Sequence, residues 1–138
     1  MLFSLTSKAR YLLAGNPDAP VQLLEEYAES LDAHIRARVA ENPKTPLRLL
    51  IKFVNDADEN VRISLAANPA VTEILLSALA EDAHPDVRYS LAENPAVPYS
   101  VLQKLRADEN PYIADRAEKT VERTERSYTP STFRFQAA

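Results

Sequence analysis

SLAENPAVP, residues Ser90–Pro98, is the stretch whose reading decides the fold. Leu91 and Ala92 favour helix, yet Asn94 precedes Pro95, whose ring pushes the residue before it out of the α region. A helix stopped after about two turns has little stability alone in water, so the stop needs a structural reason. The same stop recurs at Asn16-Pro17, Asn42-Pro43, Asn68-Pro69 and Asn94-Pro95, a constant step from 16 to 42, 68 and 94.

Neighbouring columns keep this 26-residue register. Arg10, Arg36, Arg62 and Arg88 form one; Leu13, Val39, Leu65 and Leu91 a second; Ala14, Ala40, Ala66 and Ala92 a third; Leu24, Leu50, Leu76 and Leu102 a fourth. Chance does not hold four columns in phase, and such self-similarity signals a repeat architecture. Each unit reads as a short helix (VRISLAAN), a corner (PAVT), a longer helix (EILLSALAED) and a second corner (AHPD). Val61, Leu65 and Ala66 share one side of the short helix, and Leu75, Leu76, Leu79 and Ala80 one side of the longer. Pro20, Pro46 and Pro98 stand where the longer helix begins, at no cost in intrahelical hydrogen bonds, and Thr72 supplies a capping hydroxyl in the third unit. Asparagine at the corner tolerates unusual backbone angles and bonds locally. Neither helix can bury its apolar side alone, and stacked units share one continuous core.

These readings predict an all-α solenoid of four 26-residue two-helix repeats, at 9–34, 35–60, 61–86 and 87–112, with a capping helix at 113–127. Residues 1–127 are then one domain. The cap begins at Ile113, carries Ala114 where the arginine column continues, and is rich in charge, as a terminal solenoid face requires. The tail, 128–138, matches nothing in the repeat; Phe133 and Phe135 alternate with polar residues, which fits a short strand, docking on a neighbour, or a loosely held end.

Composition narrows the function classes. The chain has 138 residues, 16 Lys plus Arg against 20 Asp plus Glu, no cysteine and no tryptophan. A net charge of −4 and a pI near 5.2 offer no general attraction for phosphate or anionic lipid, so nucleic acid is disfavoured and no membrane association is expected. Without cysteine there is no disulfide, thiolate metal site or cysteine nucleophile. The opening apolar run is short for a signal peptide, and a cytoplasmic location is expected.

DAHPDVRYSLAENPAVPYSVLQKLRAD resembles the leucine-rich repeat variant family in its order of Val-Arg, Leu-Ala, Asn-Pro and a leucine-bearing helix, over roughly residues 9 to 112. The segment from Asp82 to Arg88 is also similar to a HEAT repeat corner. The resemblance implies that the solenoid is a right-handed superhelix of paired short helices, and it implies little about activity. The iron–sulfur cysteines of some members have no counterpart here.

The arginine column admits a phosphate-binding reading, but a cation in the first turn of a helix opposes the helix dipole and calls for a local partner. Asp56, Asp82 and Asp108, with Ser30 in the first unit, supply a matching column, which predicts an internal Asp–Arg ladder. The HEAT-like corner implies that the short helices line the inner curve, where the positions pointing away from the core would form a shallow groove: Tyr11, Ala37, Ile63, Tyr89; Leu12, Arg38, Ser64, Ser90; Gly15, Glu41, Ala67, Glu93. Tyr11, Arg38, Glu41, Ile63, Tyr89 and Glu93 are the candidate partner-binding residues, since tyrosine and arginine are favoured interface anchors. The competing reading is that Tyr11, Ile63 and Tyr89 pack between neighbouring helices. On the longer helices Glu25, Glu26, Glu29, Arg48, Lys52 and Lys104 make a solvated face whose acidic first unit could select a basic partner. His34 and His84 lie in separate corners, and no nucleophile elbow or phosphate-cradling glycine loop is present. The expectation is a non-catalytic module, neither enzyme nor cofactor protein, that binds a peptide or protein surface. The alternative is a HEAT-like nucleic-acid-binding protein.

Overall fold

A computed structural model describes residues 5–128, and all regular structure among them is helical. The helices are α1 (Ser7–Ala14), α2 (Val21–Ala28), α3 (Ala33–Glu41), α4 (Leu47–Phe53), α5 (Glu59–Ala66), α6 (Glu73–Leu79), α7 (Pro85–Ala92), α8 (Tyr99–Arg106) and α9 (Pro111–Tyr128). Odd-numbered helices start at 7, 33, 59, 85 and 111, and even-numbered ones at 21, 47, 73 and 99, so both series advance by 26. The predicted tail lies outside the described residues, apart from the backbone of Tyr128.

One capping position starts every odd helix. Side chains at 6, 32, 58, 84 and 110 accept a backbone N–H of the first turn: Thr6 from Ala9, Asp32 from His34, Asp58 from Asn60, His84 from Asp86 and Asn110 from Tyr112. Four residue types therefore do one job, satisfying a donor that the helix leaves free. Even helices start from Pro20, Pro46 and Pro98, whose extended φ and ψ aim the chain into the helix, and from Thr72, whose hydroxyl accepts from Leu75.

The asparagine corners are built without unusual backbone. No residue among those described has positive φ, so the tolerance expected of asparagine is not what selects it. Its Oδ1 instead accepts the N–H two residues on, from Asp18, Lys44, Ala70 and Ala96 at 2.8–2.9 Å. Its amide reaches further. Asn42 donates to the carbonyls of Ala14 and Asn16, and Asn68 to those of Ala40 and Asn42, at 2.8 and 2.9 Å in each case. Both side chains are buried, and each ties its corner to the corner before it. The fifth position of the column is Thr120, whose hydroxyl donates to Ala92 at 2.6 Å. Because Val121 follows in place of proline, α9 does not stop there and runs on to 18 residues. The cap thus starts and ends slightly outside the expected 113–127.

Packing follows the same step. Ile35, Val61, Val87 and Ile113, with Val39, Leu65, Leu91 and Ala117, are fully buried between successive odd helices. Leu24, Leu50, Leu76 and Leu102 close the core from the even helices, each contributing about 2 kcal/mol by leaving water. Odd helices pack on odd helices along the whole chain, whereas even helices lean mainly on the odd ones, giving two layers around one core.

The Asp–Arg ladder is present with three rungs. Arg36, Arg62 and Arg88 each chelate a carboxylate 20 residues on, Nε at 2.7–2.9 Å and Nη2 at 3.1–3.3 Å from the two oxygens of Asp56, Asp82 and Asp108. Nη1 of each donates back to the carbonyl six residues earlier, at Ser30, Asp56 and Asp82. The same aspartates accept the N–H of Asp58, His84 and Asn110, which starts the turn into the next odd helix. Side-chain partnership raises the Arg36 and Arg88 values from the ordinary guanidinium value. Burial opposes the charge on Asp56 and Asp108, but the arginine bonds and turn amides outweigh it and hold both carboxyls below the usual range. Arg10 forms no rung, because Ser30 stands where the carboxylate belongs and keeps only the local bond, from Asp32.

Candidate interaction face

The sequence-predicted groove residues lie in the odd helices or directly after them, and the structure divides them into two groups. Tyr11 on α1 and Arg38 and Glu41 on α3 come together. The Arg38 guanidinium stands 4.6 Å over the Tyr11 ring centroid and is ion-paired to Glu41 on its own helix. Hydrogen bonding to Glu41 is the main reason its value is raised. Gly15 makes room for it, since a Cβ there would come within 2.6 Å of the guanidinium. The glycine answers to this close approach and not to a backbone requirement, its φ being an ordinary −86°. The cluster satisfies most of its own charge, and Arg38 Nε alone is buried with no hydrogen-bond partner.

The second group is Ile63 on α5 with Tyr89 and Glu93 at the end of α7. Ile63 is half-buried and packs on the core. Tyr89 is 38% exposed and Glu93 is exposed. An opening of about 350 Å³ between α5 and α7 is lined by Ile63, Ala66, Ala67, Ser90, Glu93 and Asn94. It adjoins a second, of about 290 Å³, that shares Ala66, Ala67 and Asn94 and continues to Pro69 and Pro98 at the corners. Here the asparagine step is interrupted. Asn94 keeps its local bond to Ala96, but among the described residues its amide makes no bond to Ala66 or Asn68, and the residue is only half-buried.

On the opposite layer the acidic first pair is neutralised by the next. Glu25 pairs with Arg48 and Glu29 with Lys52, and further along Glu81 pairs with Lys104 at 2.6 Å. The even-helix face is therefore less of an acidic patch than its first unit implies. Exposed pairs of this kind add little stability.

Among the described residues no group of His, Cys, Asp or Glu is arranged to hold a metal ion. No helix there is long and apolar enough to cross a membrane. His34 bonds Asp32, and His84 caps α7. The asparagine amides and the capping column are the positions that sequence reasoning missed. The recurrence of asparagine at the same corner of each unit was the one sequence signal at the amide positions, and it does not name their backbone partners.

Comparison with protein-family models, with curated proteins and with solved structures finds no significant match to this chain.

Proposed function

We propose that this chain is a non-catalytic interaction module, a HEAT-like α-solenoid of the leucine-rich repeat variant kind, whose 26-residue units wind into a right-handed superhelix with the odd helices on the inner curve. A peptide or protein surface lies along that curve. The observation that carries the reading is a division of labour. The buried polar groups bind unit to unit through the Arg–Asp and asparagine rungs, while Tyr89, Glu93 and the opening beside Ile63 take no part in those bonds and face outward. A frame locked in register with a free aromatic and a free carboxylate on one side suits docking without chemistry. Arg36, Arg62 and Arg88 are spent inside the ladder, which leaves them unavailable to a phosphate backbone.

The test is capture by the immobilised chain of a partner that a Tyr89→Ala variant no longer holds, with circular dichroism unchanged. Equal capture by both proteins overturns the reading. Retardation of duplex DNA that weakens steeply with added salt would favour the nucleic-acid alternative.

A further inference from the structure

The joint between α1 and α3 shows how a slot on the odd-helix face is filled, and the joint between α5 and α7 repeats that slot without its filler. Two steps along the chain, Tyr11 becomes Ile63, Gly15 becomes Ala67, Arg38 becomes Ser90 and Glu41 becomes Glu93. In the first joint the arginine lies on Tyr11, against Gly15, and binds Glu41. In the later joint the residue at the arginine position is a serine whose hydroxyl is turned to the Val87 carbonyl at 2.6 Å, and the opening of about 350 Å³ stands in its place. Ala67 adds a methyl that Gly15 lacks, and the opening remains with that methyl included.

Charge bookkeeping singles out the same point. Along the column of Glu41, Glu93 and Lys119, Glu41 is paired with Arg38 and Lys119 with Asp115 at 2.7 Å. Glu93 has no ion pair or hydrogen bond from its side chain among the described residues. Arg116, on α9 at the next arginine position, is not within ion-pair distance of it, and its buried Nε is without a hydrogen-bond partner. The joint between α3 and α5 offers no such site, because Ala67 stands there where an acid is needed.

We infer that the α5–α7 slot accepts an arginine side chain from a partner peptide, its stem lying on Ile63 and Ala67 and its guanidinium meeting the carboxylate of Glu93, as Arg38 does for Glu41 within the chain. Arginine suits the site because its guanidinium donates to a carboxylate while its stem covers apolar surface. The inference rests on the interaction-module reading and names what that face recognises.

The experiment is an amide NMR titration of the whole chain with acetyl-Ala-Ala-Arg-Ala-Ala-amide and with the same peptide carrying citrulline, which keeps the shape and removes the charge. Saturable shifts at Ala67, Glu93 and Asn94 are expected with arginine and not with citrulline. Glu93→Gln, an exposed change, should weaken binding about fivefold. Ser90→Arg, which fills the slot from within, should abolish it with circular dichroism unchanged. Equal response to both peptides, shifts centred elsewhere, or no response overturns the inference. The Tyr89→Ala capture result is independent of all three, so failure here is distinguishable from failure of the interaction reading.

Discussion

The amide of Asn68 donates to the carbonyl of Ala40 at 2.8 Å, across 28 residues of chain and away from water. Asn94, one step further along, leaves the corresponding Ala66 carbonyl alone. Two asparagines at the same repeat position, each before a proline, therefore carry different weight. Asn68→Ala should destabilise the protein by about 1–3 kcal/mol, because a buried carbonyl loses its donor. Asn94→Ala should cost less than about 0.5 kcal/mol. Urea midpoints of the two variants, read at constant m-value, make the comparison.

The Arg62–Asp82 rung is mostly buried, and removing one member strands the other. Arg62→Ala should cost about 3–5 kcal/mol. Lys104→Ala, which breaks the exposed pair with Glu81, should cost under about 1 kcal/mol. Thermal unfolding of the two variants beside the parent separates them.

Acid should act through the rungs. Asp56 and Asp108 have carboxyl values below the ordinary 3.8 when folded. A group depressed by folding stabilises the protein at pH above its unfolded value, and that contribution is lost as pH falls through the folded one. Stability should hold through neutral and mildly acidic pH and drop below about pH 4. Asp108→Asn should lower stability at pH 7 and flatten the drop. Denaturant midpoints taken between pH 7 and pH 2 check both parts.

Val121→Pro tests why α9 is long. Val121 is buried inside the helix, directly after Thr120 at the asparagine position. A proline there removes an intrahelical bond and should cost about 3 kcal/mol or more. Carbon chemical shifts should lose helical character locally around residue 121 and keep it in α8.

Much of the frame was legible because most units repeat the same contacts, so the apolar columns and the charge columns line up in one dimension as they do in three. Arg36 and Asp56 could be matched as opposite charges in the same register. The asparagine rungs were not visible, since the partner of Asn42 is a backbone carbonyl and backbone has no letter in the sequence. The capping column escaped for a different reason: Thr6, Asp32, Asp58, His84 and Asn110 are alike only in carrying a side-chain acceptor. On the odd-helix face the six residues were identifiable by position, but the closing of Arg38 over Tyr11 depends on the space left by Gly15. The readings of Ile63 as core packing and of Tyr89 as exposed follow from how tightly each neighbouring helix sits, which a periodic pattern does not encode.

Ser30 at one end of the arginine ladder and Ala114 at the other make the array finite. Arg10 meets a hydroxyl where it needs a carboxylate, and at 114 a methyl stands where the next guanidinium would be. The joint between α1 and α3 therefore lacks the bidentate grip that ties the later joints, and it is held instead by the Asn42 amide and by Arg38 lying on Tyr11. Two small side chains thereby set where the ladder starts and stops.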